Sequence, residues 1–215
     1  MIGGGVLQEC LEHPEIEEVL AVGRRGPGLV HPKLRELILS DLFDLQTSAG
    51  ELTGYDACYY CLGVSAAGLS EAAYRRITHD LTMVVAQVLV QANPAIKFCF
   101  ISGQGADSSG KGRIMWARVK GQTENELLAL PIEVYVFRPG IIRPLKGVRS
   151  RTTAYRVLYT VTAPVLPLIE RLFPGQVTNS IKLAQAMILA TTKGCDRRIL
   201  ETRHINDLAA TAAAP

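Results

Sequence analysis

The 215-residue chain lacks any apolar run long enough to cross a bilayer. Its longest, Met83 to Ala92 and Val157 to Ile169, fall short of the roughly 20 residues a spanning helix needs, and Pro164 and Pro167 interrupt the second. A disulfide framework is missing as well. The five cysteines are odd in number and irregularly spaced, and no leader of charged, apolar and small-residue regions precedes the domain, so a reducing cytoplasm is the expected setting. Cys58-Tyr59-Tyr60-Cys61 has C-x-x-C spacing, but residues three apart in a strand point to opposite faces and no second ligand pair accompanies it. Histidine is scarce: His13, His31 and His204 are scattered without a ligand cluster, and His79 reads as a surface or packing residue, which leaves no metal site. Charge of one sign is also lacking. A net charge of +3 is mild and does not imply bulk nucleic-acid binding, although Arg143, Lys146, Arg149, Arg151 and Arg156 form a local basic run. That run is either a solvated loop or a contact for an anionic ligand or a membrane surface.

What is present suits one well-buried domain spanning 1–215, since 48% of the residues are hydrophobic and the chain is too short for two ordinary domains. Strand-like and helix-like segments alternate, the pattern of a parallel sheet with helices on both faces. Helical spacing is expected over Gly3 to Glu12, about Glu71 to Ala92, Thr153 to Leu172 and Ser180 to Thr192. Short strands are expected at Val19 to Val22, Leu37 to Leu39, Ala57 to Leu62, Phe98 to Ile101, Val134 to Phe137 and Arg198 to Glu201. The small-residue tail from Ala209 to Pro215 is expected to fray.

The chemistry concentrates between residues 98 and 140. A strand ends in Ser102-Gly103, a helix carries Trp116 and Lys120 one turn apart, and the next strand ends in Arg138-Pro139-Gly140. Strand, serine, helix with lysine, strand, Arg-Pro-Gly: this order resembles the short-chain dehydrogenase/reductase superfamily, most closely its atypical, extended, epimerase/dehydratase-like branch, over nearly the whole chain. The resemblance implies an α/β fold with a Rossmann-like doubly wound parallel sheet in a single domain. It also implies that Gly3 matches the third glycine of the pyrophosphate-binding turn, whereas the first two glycines and the first strand have no counterpart. Either the chain begins at an internal methionine or the site is impaired; in both cases a strand-wide gap is expected between Val19 to Val22 and Ala57 to Leu62 within one parallel sheet.

Further cofactor contacts follow from the resemblance. Arg24 and Arg25 fall where an acidic residue would hold the adenosine ribose of NAD, and guanidinium forks there suit the 2′-phosphate of NADP, with NAD still possible. Asp41 and Leu42 fall at the adenine contact, although Asp41 equally suits a turn cap. Gly63 falls where backbone approaches the cofactor, and Arg138, Pro139 and Gly140 border the substrate pocket. Residues 141–175 would form a lid over the nicotinamide end, with basic residues beside Tyr155 and Tyr159 suited to a ligand with an anionic head and an apolar body.

In the superfamily a serine polarises the substrate carbonyl, a tyrosine donates the proton and a lysine lowers the phenol pKa while holding the ribose. Here Ser102, Trp116 and Lys120 stand at those catalytic positions, with Ser108 or Ser109 as substitutes for the serine. An indole N–H donates a hydrogen bond but does not cycle a proton. Two readings therefore stand: an NADP-binding oxidoreductase or epimerase of a small apolar or anionic substrate, and a non-catalytic NADP-sensing or scaffold protein. A homo-oligomer is compatible with both.

Overall fold

A computed structural model describes residues 2–143 and 175–211. Helix α1 (Ile2–Glu12) is followed by β1 (Val19–Gly23) and β2 (Leu34–Ile38), then by a 3-10 helix over Leu42–Leu52 and β3 (Ala57–Tyr60). The long helix expected over residues 71–92 is continuous but not uniform: α2 (Glu71–Arg75) passes through a π-helical turn, Arg76–Asp80, into α3 (Leu81–Ala92). Next come β4 (Lys97–Ile101), α4 (Met115–Leu128), β5 (Glu133–Arg138), β6 (Ile141–Arg143), β7 (Val177–Asn179), α5 (Ser180–Thr192), β8 (Ile199–Glu201) and α6 (Thr202–Thr211).

Strands β3, β4, β5 and β8 pair in that order, all parallel. Parallel strands covered by helices on both faces need apolar residues at every position, which is why Phe98-Cys99-Phe100-Ile101 and Val134-Tyr135-Val136-Phe137 read as unbroken runs, each residue at most 7% exposed. Alternation then divides them. Phe98, Phe100, Val134 and Val136 join Leu45, Leu81, Val85, Leu89 and Leu127 in one core. Cys99, Ile101, Tyr135 and Phe137 join Val6, Cys10, Leu183, Met187 and Ile205 in the other. The result is a sheet between two helical layers, the Rossmann-like α/β arrangement.

Several expectations need correction. Val19–Gly23 and Ala57–Tyr60 do not share a sheet: β1 pairs with β2 in a separate two-stranded parallel sheet, and among the described residues nothing hydrogen-bonds β1 to β3. The expected separation between them is therefore present, with α1 touching both strands. The second strand begins three residues earlier than its apolar run, because pairing with β1 starts at Val19 opposite Leu34 and carries the exposed Arg35 and Glu36 along. Residues up to Thr211 of the supposed frayed tail are helical, held by Ile205 and Ala209 against the core. The basic residues from Lys146 to Arg156, Tyr155, Tyr159 and the helix expected over Thr153 to Leu172 lie outside the described residues. Of the supposed lid, residues 141–143 form β6, paired with β7.

Candidate functional site

Helix α4 presents Trp116, Lys120 and Glu124 at spacing i, i+4, i+8, hence along one face. That face meets the carboxyl ends of β4 and β5. Its approach is close because position 121 is glycine: a Cβ there would stand 1.7 Å from the Asp107 carbonyl oxygen, so no larger residue lets the β4–α4 loop lie on the helix. Asp107 organises that loop. One carboxylate oxygen accepts from the Ser109 amide at 3.0 Å and the Ser109 hydroxyl at 2.6 Å, the other from the Gly112 amide at 2.6 Å, and these bonds hold the carboxyl below its usual range. Asn125 Nδ2 and Gln122 Nε2 tie the loop down further through the Ser108 and Gly110 carbonyls.

The centre of the site is a buried ionic network that the sequence reading did not anticipate. Glu124 is fully buried and accepts from the Ser102 hydroxyl and from Arg138, whose Nε lies 3.1 Å from Oε1 and whose Nη2 pairs with Oε2. Arg138 also reaches Glu201 at 3.2 Å and the Ser108 hydroxyl at 2.6 Å. The bond to Glu124 keeps the guanidinium charged, its pKa raised above an already high value. The Ser102 hydroxyl, expected to polarise a substrate carbonyl, donates to Glu124 instead, and Ser108 and Ser109 are engaged with Arg138 and Asp107. The signal for Glu124 was present as the next member of the 116, 120 series; only its fold partner Arg138 reveals that it points inward.

Lys120 is treated differently. Its Nζ donates to the Ile101 carbonyl at 3.2 Å and lies over the Phe100 ring, 5.3 Å from the centroid. Among the described residues no carboxylate is within ion-pair distance, and burial pushes the ammonium pKa down to about 8, with Glu124 only partly opposing the shift. One turn earlier, Trp116 packs its ring edge toward Gly103 and Gly105 and, with Ser65, Ala66, Ala67 and Tyr74, lines a pocket of about 310 Å³.

The other predicted residues sort by where they sit. Arg24 and Arg25 follow β1, exposed and with no ion-pair partner among the described residues. Gly63 follows β3, exposed, with open space where a side chain would be. Gly3, in the first turn of α1, would place a Cβ 3.3 Å from that of Cys61. These lie at the carboxyl edges of parallel strands, where ligands of open α/β sheets bind. Asp41 caps the 3-10 helix through the Phe43 amide at 3.0 Å, and Leu42 is buried in the core. Arg138-Pro139-Gly140 does architectural work: Pro139 accepts from the Gln104 amide, and a Cβ on Gly140 would meet the Gln176 carbonyl at 2.5 Å.

A dinucleotide fits what is present. The two exposed guanidinium groups, without an ion-pair partner among the described residues, and the open backbone at Gly63 would take its adenosine end, and Lys120 its nicotinamide ribose. The ring of buried His79 lies with Nδ1 2.7 Å from an Asp80 carboxylate oxygen and Nε2 2.8 Å from one of Glu126, contacts that tie the π turn to α4. Burial raises the thiols of Cys10 and Cys61 to about 12 and those of Cys58 and Cys99 also upward, so all four stay protonated. No cluster of three metal-ligating side chains occurs among the described residues.

The fold is that of the short-chain dehydrogenase/reductase and epimerase enzymes. The Bordetella bronchiseptica enzyme WbmG, solved with NAD, superposes with a TM-score of 0.65 at 11% identity, covering 100% of this chain and 76% of that one. A short-chain dehydrogenase from Burkholderia cenocepacia, solved with NADP, superposes with a TM-score of 0.63 at 14% identity, covering 99% and 88%. In sequence, the chain is 26% identical over 149 residues to Protein fmp52-1, mitochondrial, of Aspergillus oryzae, a match covering 66% of this chain. It spans 62% of the length of the curated relatives it matches. No family model matches the chain.

Proposed function

We propose that this protein binds NADP in preference to NAD and reduces or epimerises a small apolar or anionic substrate. The observation that carries the reading is the arrangement along the carboxyl edge: Arg24 and Arg25 after β1, exposed and without an ion-pair partner among the described residues, and Lys120 after β4, one helical turn from the Trp116 that walls a pocket. The first pair supplies forked donors for a 2′-phosphate, each charge-assisted bond being worth about 1.5–3 kcal/mol. Bound there, the cofactor supplies or accepts a hydride. Trp116 and Tyr74 give the substrate an apolar seat. One WbmG structure holds NAD and UDP together, and a relative of that kind supports an anionic substrate here.

A second reading, binding without turnover, is favoured by a specific observation: Trp116 cannot cycle a proton and the Ser102 hydroxyl is committed to Glu124. We place the protein in a reducing compartment, the cytoplasm, to which its five free cysteines are suited. The fungal relative's name points instead to mitochondria. Among the described residues no helix is long and apolar enough to cross a membrane. The partner is a small molecule, with self-association compatible and nucleic acid not required.

The test is cofactor affinity measured by quenching of the single tryptophan. NADP should bind about tenfold or more tighter than NAD, and replacing Arg24 and Arg25 together with alanine should remove the difference. Equal affinities in the unaltered chain would sink the NADP assignment.

A further inference from the structure

Helix α2 with its π turn is joined to helix α4 by three side-chain contacts in matching register. Glu71, Arg75 and His79 stand four residues apart on the first, and Arg118, Gln122 and Glu126 four apart on the second. Arg118 Nη2 donates to Glu71 at 2.7 Å, Arg75 Nη1 donates to Gln122 at 2.7 Å, and His79 Nε2 lies 2.8 Å from Glu126. The third contact differs from the other two because it depends on a titratable ring. His79 faces carboxylate oxygens at both nitrogens, with Asp80 2.7 Å from Nδ1. An ionised carboxylate only accepts and a neutral imidazole carries one N–H, so the two contacts together require the doubly protonated ring. We infer that His79 is a proton-operated clasp: charged, it closes the pairing of the π turn with α4, and on losing a proton it draws Arg75 off Gln122 and so loosens the wall of the pocket beside Trp116. The inference goes beyond the dinucleotide reading and does not depend on it.

The charges around the ring set the direction. Arg75 of α2 stands close, with Nη2 3.4 Å from His79 Nε2 and Nε 3.6 Å from Asp80. With the ring charged, two cations face two carboxylates and the cluster balances. With the ring neutral, one carboxylate loses its N–H, and Arg75 is the cation within reach to replace it. The other charged groups on the packed elements are engaged elsewhere. Helix α3 carries none along Leu81–Ala92. On α4, Arg118 is held by Glu71, Lys120 donates to the Ile101 carbonyl and Glu124 is held by Arg138. Within the turn, Arg76 lies over the Phe43 ring of the 3-10 helix, 4.5 Å from its centroid. Arg75 connects the ring to the pocket. The Gln122 amide that accepts from it through Oε1 donates through Nε2 to the Gly110 carbonyl at 3.3 Å, and a Cβ on Gly110 would stand 3.1 Å from Gln122 Cγ, so the β4–α4 loop rests on this side chain. Tyr74, the neighbour of Arg75, and Trp116, just beyond the loop, both line the pocket. Moving Arg75 toward the ring or Asp80 therefore removes the bond that holds α2 to the residue supporting the loop. The step is a proton dissociation alone: one ring N–H bond breaks and its proton goes to solvent. The clasp is closed at low pH and opens as pH rises.

The test uses the whole chain without cofactor, following the ring by nitrogen-15 NMR of histidine and the pocket by the emission of the single tryptophan. At about pH 5.5 both His79 nitrogens should carry a proton, and by about pH 9 one should not. Over the same interval Trp116 emission should move to longer wavelength. Exchange of the amides from Ser108 to Gly112, corrected for its intrinsic pH dependence, should quicken by about threefold or more. His79→Gln removes the titration, identifies the resonance and should leave both readouts flat. Gln122→Leu keeps the titrating ring but cuts the connection, so the ring should still lose its proton while the emission stays in place. A His79 ring with a single proton at about pH 5.5, or one that keeps both to about pH 9, would overturn the inference. So would a ring that titrates in the unaltered chain with Trp116 emission and loop exchange unmoved, or a response that survives in His79→Gln or Gln122→Leu.

Discussion

Glu124 provides the sharpest energetic test of the site. Its carboxylate is fully buried and receives Ser102 and both Nε and Nη2 of Arg138, which is itself only 11% exposed. Removing one member of a buried pair leaves the other charge stranded, at about 3–5 kcal/mol. Glu124→Gln keeps the shape and an acceptor for Ser102 but turns an amide donor toward a guanidinium donor. That substitution should cost about 3 kcal/mol, a large share of the roughly 5–15 kcal/mol by which a domain is stable. With a urea slope of about 2–3 kcal/mol/M, the midpoint followed by far-ultraviolet circular dichroism should drop by about 1 M or slightly more. Replacing Glu124 and Arg138 together by leucine should recover much of the loss, since the stranded charge is then gone too. A Glu124→Gln protein within 1 kcal/mol of the parent, or a double variant as unstable as the two single losses added, would refute the view that this pair is a closed buried network.

Two further outcomes follow from the same helix. Because the folded Lys120 amine titrates near 8 rather than its ordinary 10.5, the unfolded chain binds the extra proton between those values; the parent should therefore gain stability as pH rises through this window, by up to about 3 kcal/mol, and lose that gain as pH falls through 8. Lys120→Met should flatten the slope, and urea melts at pH 7 and pH 10 showing the same slope for both proteins would contradict the burial argument. Gly121→Ala should lower stability by about 1–3 kcal/mol or more, because its methyl meets the Asp107 carbonyl, and a thermal midpoint unchanged from the parent would mean the loop lies off the helix.

The parts legible in the sequence were those whose local pattern and tertiary role agree. Strands β4 and β5 are buried on both faces, so their apolar runs mark them directly. Helix α5 was readable to the residue because Asn179 caps it, its side chain accepting from the Ile181 and Lys182 amides. Less visible was β2, where pairing with β1 overrides the charge of Arg35 and Glu36. Three-residue strands such as β6 and β7 are too short to carry a period. The π turn at Arg76–Asp80 has no composition signal; it is recognisable only once His79 is seen bonded to Glu126 on another helix. At the site, the Trp116 and Lys120 spacing is plain in the sequence, whereas Glu124 on the same face carries no mark that distinguishes it there. Its character is set by Arg138, a residue on the following strand. The serine expected to do chemistry was likewise identified by its strand end, but its partner depends on helix packing.

The proposed dinucleotide site spans the carboxyl edges of β1, β3 and β4. Hydrogen exchange of the backbone amides, followed by mass spectrometry with and without saturating NADP, tests it most directly. Slowed exchange is expected in peptides covering Gly23 to Arg25, Cys61 to Val64 and Ile101 to Gly105, with the groove formed by Gln46, Gly50 and Gln91 unchanged. Protection confined to that groove, or no protection anywhere in the chain, would contradict it.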